Sequence, residues 1–184
     1  MSQPAPHLCR LLLECRLGSD ASSRELWRTL YPALHACARA ILRDDALASD
    51  AVQNAFLRLL STPTKTVRAV KHPRAWMLTV TRNEALQLRR NTQRVQAREP
   101  AADIPITTDT DVKQTSPKQS LTELIDALSD DAREIIALRH ACSLTFDQAA
   151  EVLGTNRNTL AARYKRALDE LRARHAPSTE ASHA

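Results

Sequence analysis

The sequence predicts an all-α protein built as two small helical domains joined by a flexible linker, the second a helix-turn-helix domain. Three observations lead there. Only 2 Gly and 3% aromatic residues in 184 leave an all-β fold short of turn residues and strand formers. Apolar residues recur at helical spacing in one segment after another. Between two such runs lies QAREPAADIPITTDTDVKQTSPKQ, residues 96–119, where Pro, Thr, Asp and Gln dominate and periodicity disappears, as in a flexible connection. The predicted division is a first domain over 1–95 with its core at about 22–95, a linker over 96–119, a second domain over 120–176, and a disordered tail over 177–184. The second domain has about 55 residues, near the lower limit for independent folding.

Residues 1–6 are Pro-rich and read as loose. Leu8, Leu11, Leu12 and Cys15 predict a short amphipathic helix ended near Gly18, and Ser19 to Ser23 offer N-caps for the next. There Leu26, Leu30, Leu34, Cys37 and Ile41 keep helical spacing to about Arg43. Pro32 interrupts them and predicts a kink or a joint. A helix from about Ala46 to Leu60 follows, with Val52, Ala55, Phe56, Leu59 and Leu60 as its apolar face and Asp50, Gln53, Asn54 and Arg58 as its polar one. STPTKTVRAVKHP, residues 61–73, is a basic loop with room for one helical turn. Pro73 suits a helix first turn. From Arg74 to about Val95 the helix places Asn83, Gln87, Arg90 and Arg94 on one polar stripe with Arg82 and Arg89 beside it, leaving Trp76, Val80 and Leu88 for burial.

The second domain opens with Leu121, Leu124, Ile125 and Leu128. Ser129 reads as the cap of a helix from Asp130 to about Cys142. Thr145 caps the next, in which Phe146, Ala149, Ala150 and Leu153 are apolar. Gly154 suits a left-handed helix terminus. A second helix begins near Asn156, carries Leu160, Tyr164 and Leu168 as its core stripe, and fades after Leu171. A turn containing Gly followed by a basic helix is what a DNA-binding helix-turn-helix requires. An ordinary helical hairpin is the competing reading of that segment alone.

Charge is patterned. The net is +5, a modest bias. Residues 65–94 hold eight Lys/Arg against the single acid Glu84, and residues 157–174 hold six against Asp169 and Glu170. Between them, residues 120–151 hold seven acids against Arg133 and Arg139. The four cysteines, Cys9, Cys15, Cys37 and Cys142, form no CxxC pair, so zinc-ligand spacing is absent and no metal is expected. Cys15 and Cys37 read as small core residues, and free thiols fit a reducing cytoplasm. No stretch approaches a signal or membrane span. No phosphate-binding Gly loop or catalytic triad is present. No cofactor is expected, and the reading is of a binding protein, not an enzyme.

ASDAVQNAFLRLL (48–60) with HPRAWMLTVTRNEALQLRR (72–90) resembles region 2 of bacterial RNA polymerase sigma factors. LSDDAREIIALRHACSLTFDQAAEVLGTNRNTLAARYKRALDELR (128–172) resembles region 4. Their order, with a linker and no other region between, is similar to the extracytoplasmic-function class. The resemblance implies core RNA polymerase (β′ clamp helices and β flap) and promoter DNA as partners, with an anti-sigma factor as a further candidate and no membrane association. Asp50, Gln53, Asn54 and Arg58 would bind polymerase. Lys71, Arg74, Trp76, Arg82, Asn83, Gln87, Arg89, Arg90 and Arg94 would engage the minus-ten element and assist strand opening. Asn156, Arg157, Asn158 and Thr159 would read the minus-thirty-five element in the major groove, with Arg163, Lys165 and Arg166 on phosphate. The sequence departs from the family pattern at Ser49 and Asn54, where acids are usual, at Gln87, often Asp, and at Ala161, often Lys. Two other readings remain open at this point: a polymerase-independent LuxR-type regulator, and a sigma-like adaptor that no longer melts promoters.

Overall fold

The computed structural model describes residues 5–96 and 121–175, and among these every regular element is helical. The expected linker, beyond Gln96, and the expected tail lie outside the described residues. The helices are α1 (Ala5–Arg16), α2 (Asp20–Leu42), α3 (Asp45–Ser61), α4 (Thr64–Arg68), α5 (Pro73–Gln96), α6 (Leu121–Asp126), α7 (Asp130–Ile136), α8 (Phe146–Leu153) and α9 (Arg157–His175). A π-helical turn over Ala137–Ala141 continues α7.

Local chemistry sets the boundaries. Ser19 Oγ accepts from Ser22 N at the start of α2, and Asp44 Oδ1 accepts from Leu47 N at 2.8 Å at the start of α3. Arg43 ends α2 in the left-handed region, at φ 58°. Thr145 and Gln148 form a reciprocal capping box on α8. Gly154 ends α8 at φ 62°, and a Cβ there would meet nothing within 4 Å. Its backbone conformation, rather than close packing, is therefore what calls for glycine.

Several expectations need correction. Residues 5 and 6 belong to α1. Of the kink or joint expected at Pro32, the joint is not found: α2 runs unbroken through it. The proline is exposed, so water can reach the carbonyl it leaves without an N–H partner. Leu60 is 44% exposed: with Leu59 fully buried, the next residue points some way round the helix. Ser129 makes no side-chain cap. Its N–H and Oγ instead donate to the Glu170 carboxylate, each at 2.9 Å. The α-helix from Asp130 gives way to the π-turn after Ile136, and α9 continues past Leu171 to His175.

Helix α2 is the spine of the first group, packed by α1, α3 and α5. Leu8, Leu11, Leu12 and Cys15 of α1 join the same core as Leu26, Leu30, Leu34, Leu59, Met77 and Leu78. Small residues (Ala38, Ala48, Ala51, Ala85) let α2, α3 and α5 approach closely further along. In the second group α7 and α8 pack on α9 through Leu128, Ala132, Ile136, Ala167 and Leu160. The two groups are also packed on each other. Helix α2 meets α7 and the π-turn, α5 meets α8, and Ile135, Leu138, Cys142, Leu144 and Val152 belong to the core cluster of the first group.

Candidate nucleic-acid interface

The start of α9 is built for presentation. Asn156 Oδ1 accepts from Thr159 N at 2.8 Å, so its carbonyl oxygen caps the helix while its NH2 stays free. Asn156, Arg157 and Asn158 are exposed and Thr159 is half-buried. Arg157 approaches only Asp147, at 3.9 Å, a loose surface pair. Leu160 anchors the helix beneath them, fully buried. One turn further, Arg163 lies 3.9 Å from Asp131, and Lys165 and Arg166 are exposed.

An aromatic cluster orients this helix. Tyr164 meets Phe146 edge-on at 5.4 Å and His140 at 5.9 Å, its hydroxyl 2.9 Å from His140 Nε2. The Arg139 guanidinium sits over the Phe146 ring at 4.2 Å and donates to the Leu144 carbonyl. The π-turn, the loop after it and both helices of the helix-turn-helix are thereby locked together. Phe146 and Tyr164 were legible as helix-spaced apolar positions, but Arg139 in this role was not.

Helix α5 shows two different faces. Asn83, Gln87, Arg90 and Arg94 are all exposed, on the stripe the spacing predicted. Lys71 and Trp76 border an open cleft of about 370 Å³ shared with Thr66, Val70, His72 and Glu151. Trp76 is half-buried against the core. The remaining cations turn inward, towards the second group. Arg74 Nε donates to the Cys142 carbonyl at 3.0 Å. Arg82 grips Glu134 with two hydrogen bonds, Nε at 2.6 Å and a second nitrogen at 3.4 Å. Arg89 reaches Asp130 at 3.1 Å.

The same seam holds other cations. Arg39 pairs with Asp126 at 3.2 Å and Arg43 with Asp130 at 3.4 Å. Arg133 is 1% exposed. Its guanidinium donates to the Ala40 carbonyl at 2.6 Å, to Leu128 O at 3.0 Å and to Asp130 at 2.6 Å. The Arg133 hydrogen bond holds the Asp130 carboxyl below its ordinary range, despite some desolvation, with Arg43 and Arg89 adding to it. Cys142 Sγ donates to Ala33 O at 3.2 Å across the seam, and burial pushes its thiol up to about 12. Burial, then the neighbouring Cys142 and Glu134, push Cys37 up as well.

On α3, Asp50 and Gln53 are exposed, Asn54 is half-buried, and Arg58 pairs with Glu84 at 3.3 Å. Trp27 stacks on Tyr31 at 4.9 Å within α2 and meets the tilted Phe56 ring of α3 at 4.8 Å, fixing α3 to α2. Leu57 is 62% exposed and, with Leu60, shares the face of Gln53. Sequence reasoning missed Leu57; its place off the buried stripe is the signal that finds it. Among the described residues there is no group of three or more His, Cys, Asp or Glu side chains able to hold a metal, and no helix is long and apolar enough to cross a membrane.

Known proteins share this arrangement. Residues 26–95 match the family described as sigma-70 region 2, and residues 118–171 match sigma-70 region 4. The extracytoplasmic-function RNA polymerase sigma factor SigK of Mycobacterium ulcerans is 27% identical over 150 residues, covering 75% of this chain and 80% of SigK. The sigma factor RpoE, solved in complex with the anti-sigma factor NepR from Bartonella quintana, superposes with a TM-score of 0.61 at 25% identity, over 82% of this chain and 94% of RpoE. CnrH, solved with the cytosolic domain of CnrY, shares the fold at a TM-score of 0.60 and 19% identity, over 91% of this chain and 96% of CnrH. The chain belongs to the RNA polymerase sigma factor family, in the extracytoplasmic-function class that carries regions 2 and 4 only.

Proposed function

We propose that this sigma factor divides promoter recognition between two surfaces, the start of α9 for the minus-thirty-five element and α5 for the minus-ten element. The observation that carries the reading is the exposed row Asn156, Arg157 and Asn158 at the N-terminus of a helix whose opposite side is buried. N-terminal residues of a recognition helix are the ones that reach base edges in the major groove. Arg157 on guanine or Asn158 on adenine supplies about 1–3 kcal/mol of discrimination each. Arg163, Lys165 and Arg166 contact phosphate and add affinity without sequence information.

On α5 the exposed stripe Asn83, Gln87, Arg90 and Arg94 tracks the melted strand. Lys71 and the cleft beside Trp76 lie at its upstream end, and Arg74, Arg82 and Arg89 extend the cationic track once they are freed. The chain has few aromatic side chains, so strand capture rests mainly on polar and ionic contacts rather than base stacking. The face of α3 that bears Asp50, Gln53, Asn54 and Arg58, with Leu57 and Leu60 beside them, docks on core polymerase. An exposed apolar pair within a polar rim suits a protein interface. The protein acts in the cytoplasm through binding energy alone and catalyses no covalent step itself. RpoE was solved with an anti-sigma factor, and a partner of that kind is proposed for this chain too.

The test is a run-off assay with core polymerase over a library of upstream elements. Arg157→Ala is expected to change which elements are used, whereas Lys165→Ala lowers use of all of them alike. An equal loss on every promoter for Arg157→Ala would place that residue on phosphate and remove it from base reading.

A further inference from the structure

Three carboxylates of the second group, Asp126, Asp130 and Glu134, are spaced four residues apart. Each is engaged by an arginine of the first: Arg39 on Asp126, Arg43 and Arg89 on Asp130, and Arg82 on Glu134. Two of those arginines, Arg82 and Arg89, lie seven residues apart on α5, two turns along one face. They meet Glu134 and Asp130 in the opposite order, so α5 and α7 run antiparallel. Asp130 and Glu134 are separated by about 6 Å of helix rise, close to the rise of two stacked nucleotides on one strand. The Arg82–Glu134 contact is a fork in which both side chains are largely buried, at 23% and 12% exposure. It is therefore better shielded from solvent and salt than a surface ion pair.

We infer that Asp130 and Glu134 are an internal stand-in for DNA phosphates, which occupy the inward cations Arg89 and Arg82 of α5 and compete with a single strand for them, while Asp126 holds Arg39 of α2 beside them. The inference rests on the sigma-factor reading of α5 and goes beyond it, because it assigns a role to acids of the second group that bind no DNA. The sequence carries the same charge order: a block of seven acids, residues 120–151, lies between two basic segments. A carboxylate and a phosphate oxygen are alternative acceptors for the same guanidinium donors, and two occupants cannot share one fork. Closure also covers the Cys142 thiol, which donates to Ala33 O in the first group. Opening the seam to free Arg82 and Arg89 uncovers that thiol, so its protection reports the state of the latch independently of DNA. Arg133, buried with its guanidinium on Ala40 O, is the pin about which the seam is organised. It also donates to Asp130, so neutralising that acid loosens the pin together with the latch.

The experiment compares the full-length protein with D130N/E134Q. Two quantities are read: the alkylation rate of Cys142 by mass spectrometry, and the affinity for fluorescein-labelled single-stranded dT12 over a salt series. The neutralised protein is expected to alkylate at Cys142 and to bind dT12 at least about fivefold better, the lower end of a typical coupling between two sites. The charge-swapped R82E/E134R chain is expected to regain wild-type protection of Cys142 while binding dT12 more weakly than wild type. Unchanged alkylation in D130N/E134Q would overturn the latch. Faster alkylation with unchanged dT12 affinity would overturn the competition. Run-off transcription with core polymerase, measured in parallel, separates the two levels. Specific transcripts with unchanged Cys142 protection overturn the latch and leave the sigma-factor reading standing. Absence of transcripts from both proteins overturns that reading and this inference together.

Discussion

At the scale of single residues, burial decides which charged or ionisable groups report on closure. Cys142 has a thiol raised by burial to about 12 from an ordinary 9.0. A raised value means that the closed form holds the proton more tightly than an opened one. The closed packing is therefore at full strength below about pH 9 and weakens as pH climbs towards 12, because the uncovered thiol ionises first. The expected outcome is a thermal midpoint, measured in reductant, that falls between about pH 9 and 12 more steeply in wild type than in Cys142→Ala. Identical pH profiles for the two proteins would show that Cys142 is not the group responsible. Arg133 teaches the complementary lesson. In the sequence it is one of two cations in an acidic block, and nothing local distinguishes it from a solvated side chain. It becomes the most buried charge in the seam because Ala40 O, 93 residues away, and Asp130 meet it there. Long-range partners of that kind leave no local periodicity to read.

Among the elements, those whose signal is local were legible. Helix period, the Thr145 cap, the left-handed Gly154 and the polar stripe on α5 follow from side-chain spacing and backbone preference within a few residues. What was not legible is which way each Arg on α5 turns. Arg82 and Arg89 lie beside the stripe and Arg90 lies within it, yet the first two are claimed by another element and the third is open. Helix α1 was legible as a helix but not as part of the core, since it precedes the segment that resembles region 2. Its Leu11 and Leu12 are almost fully buried among α2, α3 and α5. Leu12→Ala is expected to cost about 2–5 kcal/mol in urea-induced unfolding, the range for a buried leucine truncated to alanine. A loss below about 0.5 kcal/mol, the level of an ordinary surface substitution, would mean that α1 is only laid on the surface.

For the whole molecule, two domains expected to be joined by a flexible linker are packed on each other through a shared apolar core and a row of ion pairs. Sequence order and the linker composition identified the two units. Their contact was not readable, because each half of every pair is by itself an unremarkable surface charge. The packing gives the molecule two sets of exposed residues, the start of α9 with one stripe of α5, and a third set held back in the seam. In the proposed reading, core polymerase bound through α3 would supply the setting in which both DNA surfaces act on one promoter. The affinity of either surface alone can then be low, because joining the two raises the effective concentration of the second once the first is bound. The most direct test is to mix the purified chain with sigma-free core polymerase and a promoter library. Specific run-off transcripts that depend on the chain are the result expected of a promoter-specificity subunit. Failure to bind core polymerase, with no chain-dependent transcript, would contradict it.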